Sequence, residues 1–162
     1  MRSLFSFPNP VNDVSARLVA GGVAVLAVAT LASHEWWLLV PLAYGFVARV
    51  LTGPNLSPLV LVVTKLVTPR LPLHPRYVPG PAKRFAQGIG AAFAVAAAVL
   101  ALGLGLAAIA FALVAVLAVF ATLEAALGLC VACRVFAFLI RMGLVPEHVC
   151  LECANVRTRA EA

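Results

Sequence analysis

The chain has 162 residues, 64% of them hydrophobic and only 11% charged, with a formal net charge of +6. An ordinary soluble domain of this size needs more polar surface than that to cover its core, so a soluble fold is excluded. The basic residues flank apolar runs and form no stripe interleaved with aromatics, which excludes nucleic-acid binding as the origin of the charge.

Residues 1–16 are polar, and Pro8 and Pro10 disfavour a helix there. Asn12 or Asp13 is placed to cap the helix that follows. An apolar run then covers 18–32, short for a span, with Arg17 at its start. Extension back to residue 16 or beyond, with Arg17 snorkelling to the headgroups, makes up the length. A cleaved signal peptide fits less well, because a second apolar run begins at Trp36 with no A-x-A site between them. That second span runs over 36–52, opened by the interfacial pair Trp36 and Trp37 and closed by Arg49.

The stretch 52–83 carries seven prolines. Its apolar middle, 59–67, is too short to cross a bilayer, so the expectation is a short surface or re-entrant helix with Lys65 at the headgroups. The third span is expected over 84–102 and the fourth over 107–127, both rich in Ala and Gly, which permit close helix approach. Gly103-Leu104-Gly105 makes the turn between them, and Gly128 bends or ends the fourth. An interfacial helix is expected over 129–142, and 143–162 is a polar tail with its own cysteines.

All twelve Lys and Arg fall in the N-terminal stretch, in 49–84, or from 134 onward. None lies in the breaks at 33–35 and 103–106. Two membrane hairpins with every basic residue on one side satisfy this distribution, and the positive-inside rule makes that side the cytoplasm. The expected fold is therefore all-α: four transmembrane helices, both termini cytoplasmic, and a short surface helix in the middle loop.

The four cysteines form two C-x-x-C pairs, Cys130 with Cys133 and Cys150 with Cys153, sixteen residues apart. In a reducing compartment permanent disulfides are disfavoured. Two chemistries remain. The spacing C-x2-C-x16-C-x2-C suits four thiolates closing a tetrahedral zinc site. Alternatively each pair is a redox dithiol, and a break at Gly128 would place Cys130 at a helix N-terminus, where thiolate character rises, with Arg134 nearby. A helix running straight through Gly128 would remove that help.

Glu124 is the lone carboxylate inside an apolar span, where charge is costly unless paired. It lies nineteen residues past Gly105, and Gln87 eighteen before it, so adjacent antiparallel spans bring them to similar depth with Arg84 a turn nearer the surface. A polar clamp of Glu124, Gln87 and Arg84 is expected. Proton delivery to the thiols is the competing role, but Glu124 and Cys130 stand about 240° apart around a continuous helix. His34, His74 and His148 are scattered, and no nucleotide-binding or hydrolase motif is present.

Asn9-Pro10-Val11-Asn12, Lys83-Arg84-Phe85-Ala86-Gln87-Gly88 and Gly128-Leu129-Cys130-Val131-Ala132-Cys133-Arg134 resemble the bacterial membrane proteins grouped as DUF4395, a domain of unknown function. The resemblance covers roughly residues 8–140 and supplies Cys130 and Cys133, whereas Cys150 and Cys153 look like an addition. It implies a multi-pass protein of a bacterial cytoplasmic membrane and an association with thioredoxin-like or rhodanese-like sulfurtransferase proteins. The expected function is thiol–disulfide redox or sulfur relay at the cytoplasmic face, with Cys130 attacking, Cys133 resolving and the tail pair exchanging. The alternative is a non-catalytic membrane protein whose four cysteines bind structural zinc.

Overall fold

The computed structural model describes residues 11–53, 56–70 and 77–145. The first helix, α1, spans Asp13–Ser33. Asn12 caps it, its Oδ1 accepting the Val14 N–H at 3.0 Å, and Asp13 sits in the first turn, where a carboxylate favours the helix dipole. His34 ends the helix in the left-handed region at φ 54°, and its ring stacks on Phe111 at 5.9 Å.

A single 3-10 turn, Trp36–Leu38, leads into α2, Leu39–Thr52. The middle segment holds α3, Pro58–Val62, which continues as a π turn over Val63–Val67. This helix is not free on a surface. Val60 and Val63 bury against Val19 of α1, and Leu59 fills the space left by Gly22.

Next come α4, Gly80–Ala98, extended by a π turn to Gly103, then α5, Ala107–Leu127, and α6, Val131–Arg141. α4 starts four residues before the third span expected over 84–102. Pro81 occupies the first turn of α4, where its missing N–H and fixed φ cost nothing. Two residues on each side form a small antiparallel ladder, β1 (Val11–Asn12) with β2 (Tyr77–Val78), which ties the start of α1 to the start of α4. The all-helical expectation did not include it.

Among the described residues, three helices are long and apolar enough to cross a membrane: Asp13–Ser33, Gly80–Gly103 and Ala107–Leu127. Trp36–Thr52 is apolar but shorter. Helices adjacent in sequence are not the closest packed. α1 packs chiefly along α5, and α2 along α4, with α4 also against α5 and α6. The seams are built from small side chains: Ala27, Ala94, Ala97 and Ala110 are fully buried. Gly90 admits the Phe46 ring, which a Cβ at that position would strike. Close approach of this kind lets backbones interlock where water supplies no hydrophobic drive. Many large apolar residues point outward, among them Val25, Val28, Leu102 and Val119. An apolar exterior of that extent suits lipid.

The starts of α1 and α4 and the ends of α2 and α5 share one end of the bundle. The site described next is built there.

Candidate functional site: a dithiol above a buried ion cluster

α5 ends at Gly128, which takes the left-handed conformation at φ 68° and ψ 16°. Its N–H bonds the Glu124 carbonyl at 3.0 Å, closing the last turn. Arg17 of α1 completes this terminus. Its guanidinium donates to the carbonyl oxygens of Ala125 at 3.2 Å and Ala126 at 2.9 Å. Arg17, expected to snorkel to the headgroups, thus caps two orphan carbonyls at the negative end of α5.

The chain then turns and α6 starts, with Cys130 as its N-cap residue in an extended conformation, φ −84° and ψ 99°. The helix does not run through Gly128, so Cys130 stands at the positive end of α6. Cys133 lies one turn on. The Cys133 thiol donates to Cys130 Sγ at 2.7 Å, and neither cysteine is oxidised. α6 is held down by Phe136 and Ile140, which bury against Ala82 and pack with Phe85 of α4; the Phe85 and Phe136 rings are 5.1 Å apart.

The two thiols are made unequal. Cys130 is held below the ordinary thiol range, first because Cys133 donates a hydrogen bond to it and further because the Lys83 ammonium is near, while burial and the Glu124 carboxylate oppose. Cys133 is pushed up, first by the proton it commits to Cys130 and then by burial. The arrangement favours the thiolate on Cys130 and the protonated form on Cys133.

Beneath the dithiol lies an ion cluster. Lys83 of α4, with a side chain only 6% exposed, pairs with Glu124 of α5 and stands 3.4 Å from Asp13 of α1. The expected partners of Glu124 were Gln87 and Arg84. Arg84 is exposed, and Gln87 Oε1 is buried without a hydrogen-bond partner among the described residues. Helix geometry accounts for the difference: positions 83 and 87 share a face at i, i+4, whereas position 84 is turned about 100° away. Reading that face from Gln87 back to Lys83 would have found the pair.

Arg49 of α2 was also missed as a site residue. It is 4% exposed; its Nε–H donates to Gly45 O at 2.7 Å and its guanidinium carbon lies 4.3 Å over the Phe46 ring. Arg49, Lys83, Gln87, Glu124 and Cys130 line one cavity of about 90 Å³, whose other walls are apolar, among them Val19, Phe93 and Leu117. Cys150 and Cys153 lie outside the described residues. Among the described residues no group of three or more His, Cys, Asp or Glu converges in a way that could hold a metal ion.

The family model of DUF4395, a domain of unknown function, matches residues 11–141. The chain belongs to the DUF4395 family. The DUF4395 segment contains every helix described above and both Cys130 and Cys133, and it stops short of Cys150. No curated protein and no solved structure matches the chain.

Proposed function

We propose that this DUF4395 protein is a membrane thiol–disulfide exchanger or sulfur relay, working through Cys130 and Cys133 at the cytoplasmic face of a bacterial inner membrane. The observation that carries this reading is the split dithiol. A thiol held low at a helix N-cap, bonded to a second thiol held high one turn later, is the division of labour that exchange requires. Cys130 attacks a partner's disulfide and forms a mixed disulfide as the partner's second sulfur leaves as thiolate. Cys133, once deprotonated, attacks Cys130 Sγ and releases the partner as a dithiol. Run in reverse, an oxidised Cys130–Cys133 pair accepts electrons from a protein dithiol.

The accompanying topology is four spans, with Trp36–Thr52 as the second and both termini cytoplasmic. The distribution of Lys and Arg supports it, as does the placement of Arg17, Arg49, Lys83 and Asp13 at one end of the bundle. The proposed partner is a thioredoxin-like or rhodanese-like protein. Cys150 and Cys153, in the C-terminal tail, act as a second exchange pair.

Cys133→Ser is the test. It is expected to trap a mixed disulfide with a thioredoxin-like protein through Cys130, and Cys130→Ser to trap nothing. One tightly bound zinc per purified chain, with all four thiols unreactive until a chelator removes it, would replace this reading with a structural metal site.

A further inference from the structure

The cavity beside Cys130 contains two mismatched polar groups. Arg49 is a buried guanidinium with one donor used by Gly45 O, and it forms no ion pair among the described residues. Gln87 contributes a buried carboxamide oxygen with no donor among the described residues. Leaving such groups unmatched in an apolar bundle is costly. A ligand that satisfied both would bring an acceptor, best a carboxylate matching the planar guanidinium fork, and an N–H donor.

The surrounding charge narrows the choice further. Asp13 and Glu124 balance Lys83 and Arg49, and the Cys130 thiolate adds one negative charge that its attack on a disulfide removes. A bare anion or a bare cation would upset that balance, and a zwitterion would not. The third feature at the cavity is the nucleophilic sulfur of Cys130. A space of about 90 Å³ admits several waters or the end group of one small molecule, and no folded polypeptide segment.

We propose that the cavity is a substrate site for a small zwitterionic aminothiol in its disulfide form, of the kind typified by cystine: carboxylate on Arg49, amino group on Gln87 Oε1, sulfur against Cys130. This rests on the exchange chemistry proposed above and assigns it a low-molecular-weight substrate. The Cys130 thiolate attacks the near sulfur of the bound disulfide. A Cys130–S bond forms, the small molecule's S–S bond breaks, and one half leaves as thiolate. Cys133 loses its proton and attacks Cys130 Sγ, which releases the second half and leaves a Cys130–Cys133 disulfide. Two electrons pass from the protein dithiol to the small disulfide, and a protein dithiol returns them.

The experiment uses the full chain in lipid nanodiscs, carrying Cys133→Ser, Cys150→Ser and Cys153→Ser so that Cys130 alone reacts. Adduct formation on Cys130 is followed by intact-mass spectrometry with three disulfides: cystine, dithiodipropionate (carboxylates without amines) and bis(hydroxyethyl) disulfide (neither). Rates are normalised to the same reagents reacting with free cysteine. Cystine is expected to react fastest, with a preference over the hydroxyethyl reagent of roughly tenfold or more, the worth of a charge-assisted hydrogen bond. Adding Arg49→Met should abolish that preference, and Arg49→Lys should restore it in part. Gln87→Leu should remove the advantage of cystine over dithiodipropionate. Equal normalised rates for the three reagents, or a preference untouched by Arg49→Met, would overturn the substrate assignment and leave thiol exchange standing. Failure of Cys130 to react with any of the three would overturn both.

Discussion

Lys83 of α4 donates to Glu124 of α5, and this ion pair, rather than a contact through Gln87 or Arg84, closes the basic end of the bundle. Lys83 also reaches Asp13 at 3.4 Å, so one ammonium joins α1, α4 and α5. The three positions differ in what their loss exposes. Glu124→Leu leaves Lys83 with Asp13 as its counter-ion, and a single polar contact between membrane helices is worth about 0.6 kcal/mol on average. Lys83→Met leaves two partly buried carboxylates, at 15% and 21% exposure, without the ammonium they share. Breaking a buried pair in that way costs about 3 kcal/mol or more. Thermal unfolding in detergent should therefore rank Lys83→Met well below Glu124→Leu. Equal losses would show that Asp13 contributes nothing. If Glu124→Leu were to abolish thiol exchange while leaving the melting temperature in place, Glu124 would be a proton carrier and the clamp reading would fail.

The dithiol predicts a pH profile. Cys130 is held low chiefly by the hydrogen bond that Cys133 donates. Its alkylation rate should reach a plateau at a pH below that of an ordinary thiol, because the thiolate is the reacting form. Cys133→Ala removes the donor, so the midpoint should move upward. Lys83→Met should move it the same way by less, since the ammonium is a lesser contributor. Iodoacetamide kinetics across pH on chains lacking Cys150 and Cys153 measure this directly. A midpoint that Cys133→Ala leaves unchanged would mean that the helix N-terminus alone controls the thiol.

The helix boundary that creates this thiol rests on Gly128 and Arg17. Gly128 needs φ 68°, where a side chain is strained, and the Arg17 guanidinium would lie 3.4 Å from an added Cβ. Gly128→Ala should cost about 1 kcal/mol in backbone strain. Arg17→Leu strips the cap from the Ala125 and Ala126 carbonyls and should cost a similar amount. Because the two groups touch, the double variant should depart from additivity. Both changes should also slow alkylation of Cys130, since both loosen the break that makes it an N-cap. Unchanged Cys130 reactivity in either variant, with stability lost, would uncouple the break from the thiol.

Much of this was legible in the residues. Apolar run length, the turn residues and the placement of Lys and Arg located the helices, and Asn12 announced the cap of α1. The C-x-x-C spacing located the dithiol. What it hid was set by tertiary pairing. Whether Gly128 bends or ends a helix depends on Arg17, more than a hundred residues away, supplying carbonyl partners. The partner of Glu124 was misassigned because depth was counted along two helices without asking which face of α4 points inward. Arg49 read as a charge closing the second span at the interface, since nothing local announces that Phe46 and Gly90 fold it into the interior. Sequence order also suggested α1 against α2, whereas small-residue seams favoured α1 with α5 and α2 with α4.

The last prediction concerns the membrane. With four spans, the short apolar helix Trp36–Thr52 must cross, and Arg70 and Leu104 must lie on opposite sides. Both are exposed, so a cysteine at either site is free to react. On a background with all four native cysteines changed to Ser, Arg70→Cys should resist an impermeant maleimide in intact cells and react after permeabilisation. Leu104→Cys should react from outside. If α2 does not cross, Arg70 falls on the side opposite to the start of α1. The ladder pairing Val11 with Val78, and the ion pair between Asp13 and Lys83, hold the starts of α1 and α4 at one end of the bundle. The four-span proposal separates them by two crossings, α1 and α2, in keeping with that shared end. Labelling of Arg70→Cys from outside, with Leu104→Cys protected, would invert the orientation and move the dithiol to the outer face. Labelling of both from the same side would remove the third crossing and with it the bundle described here.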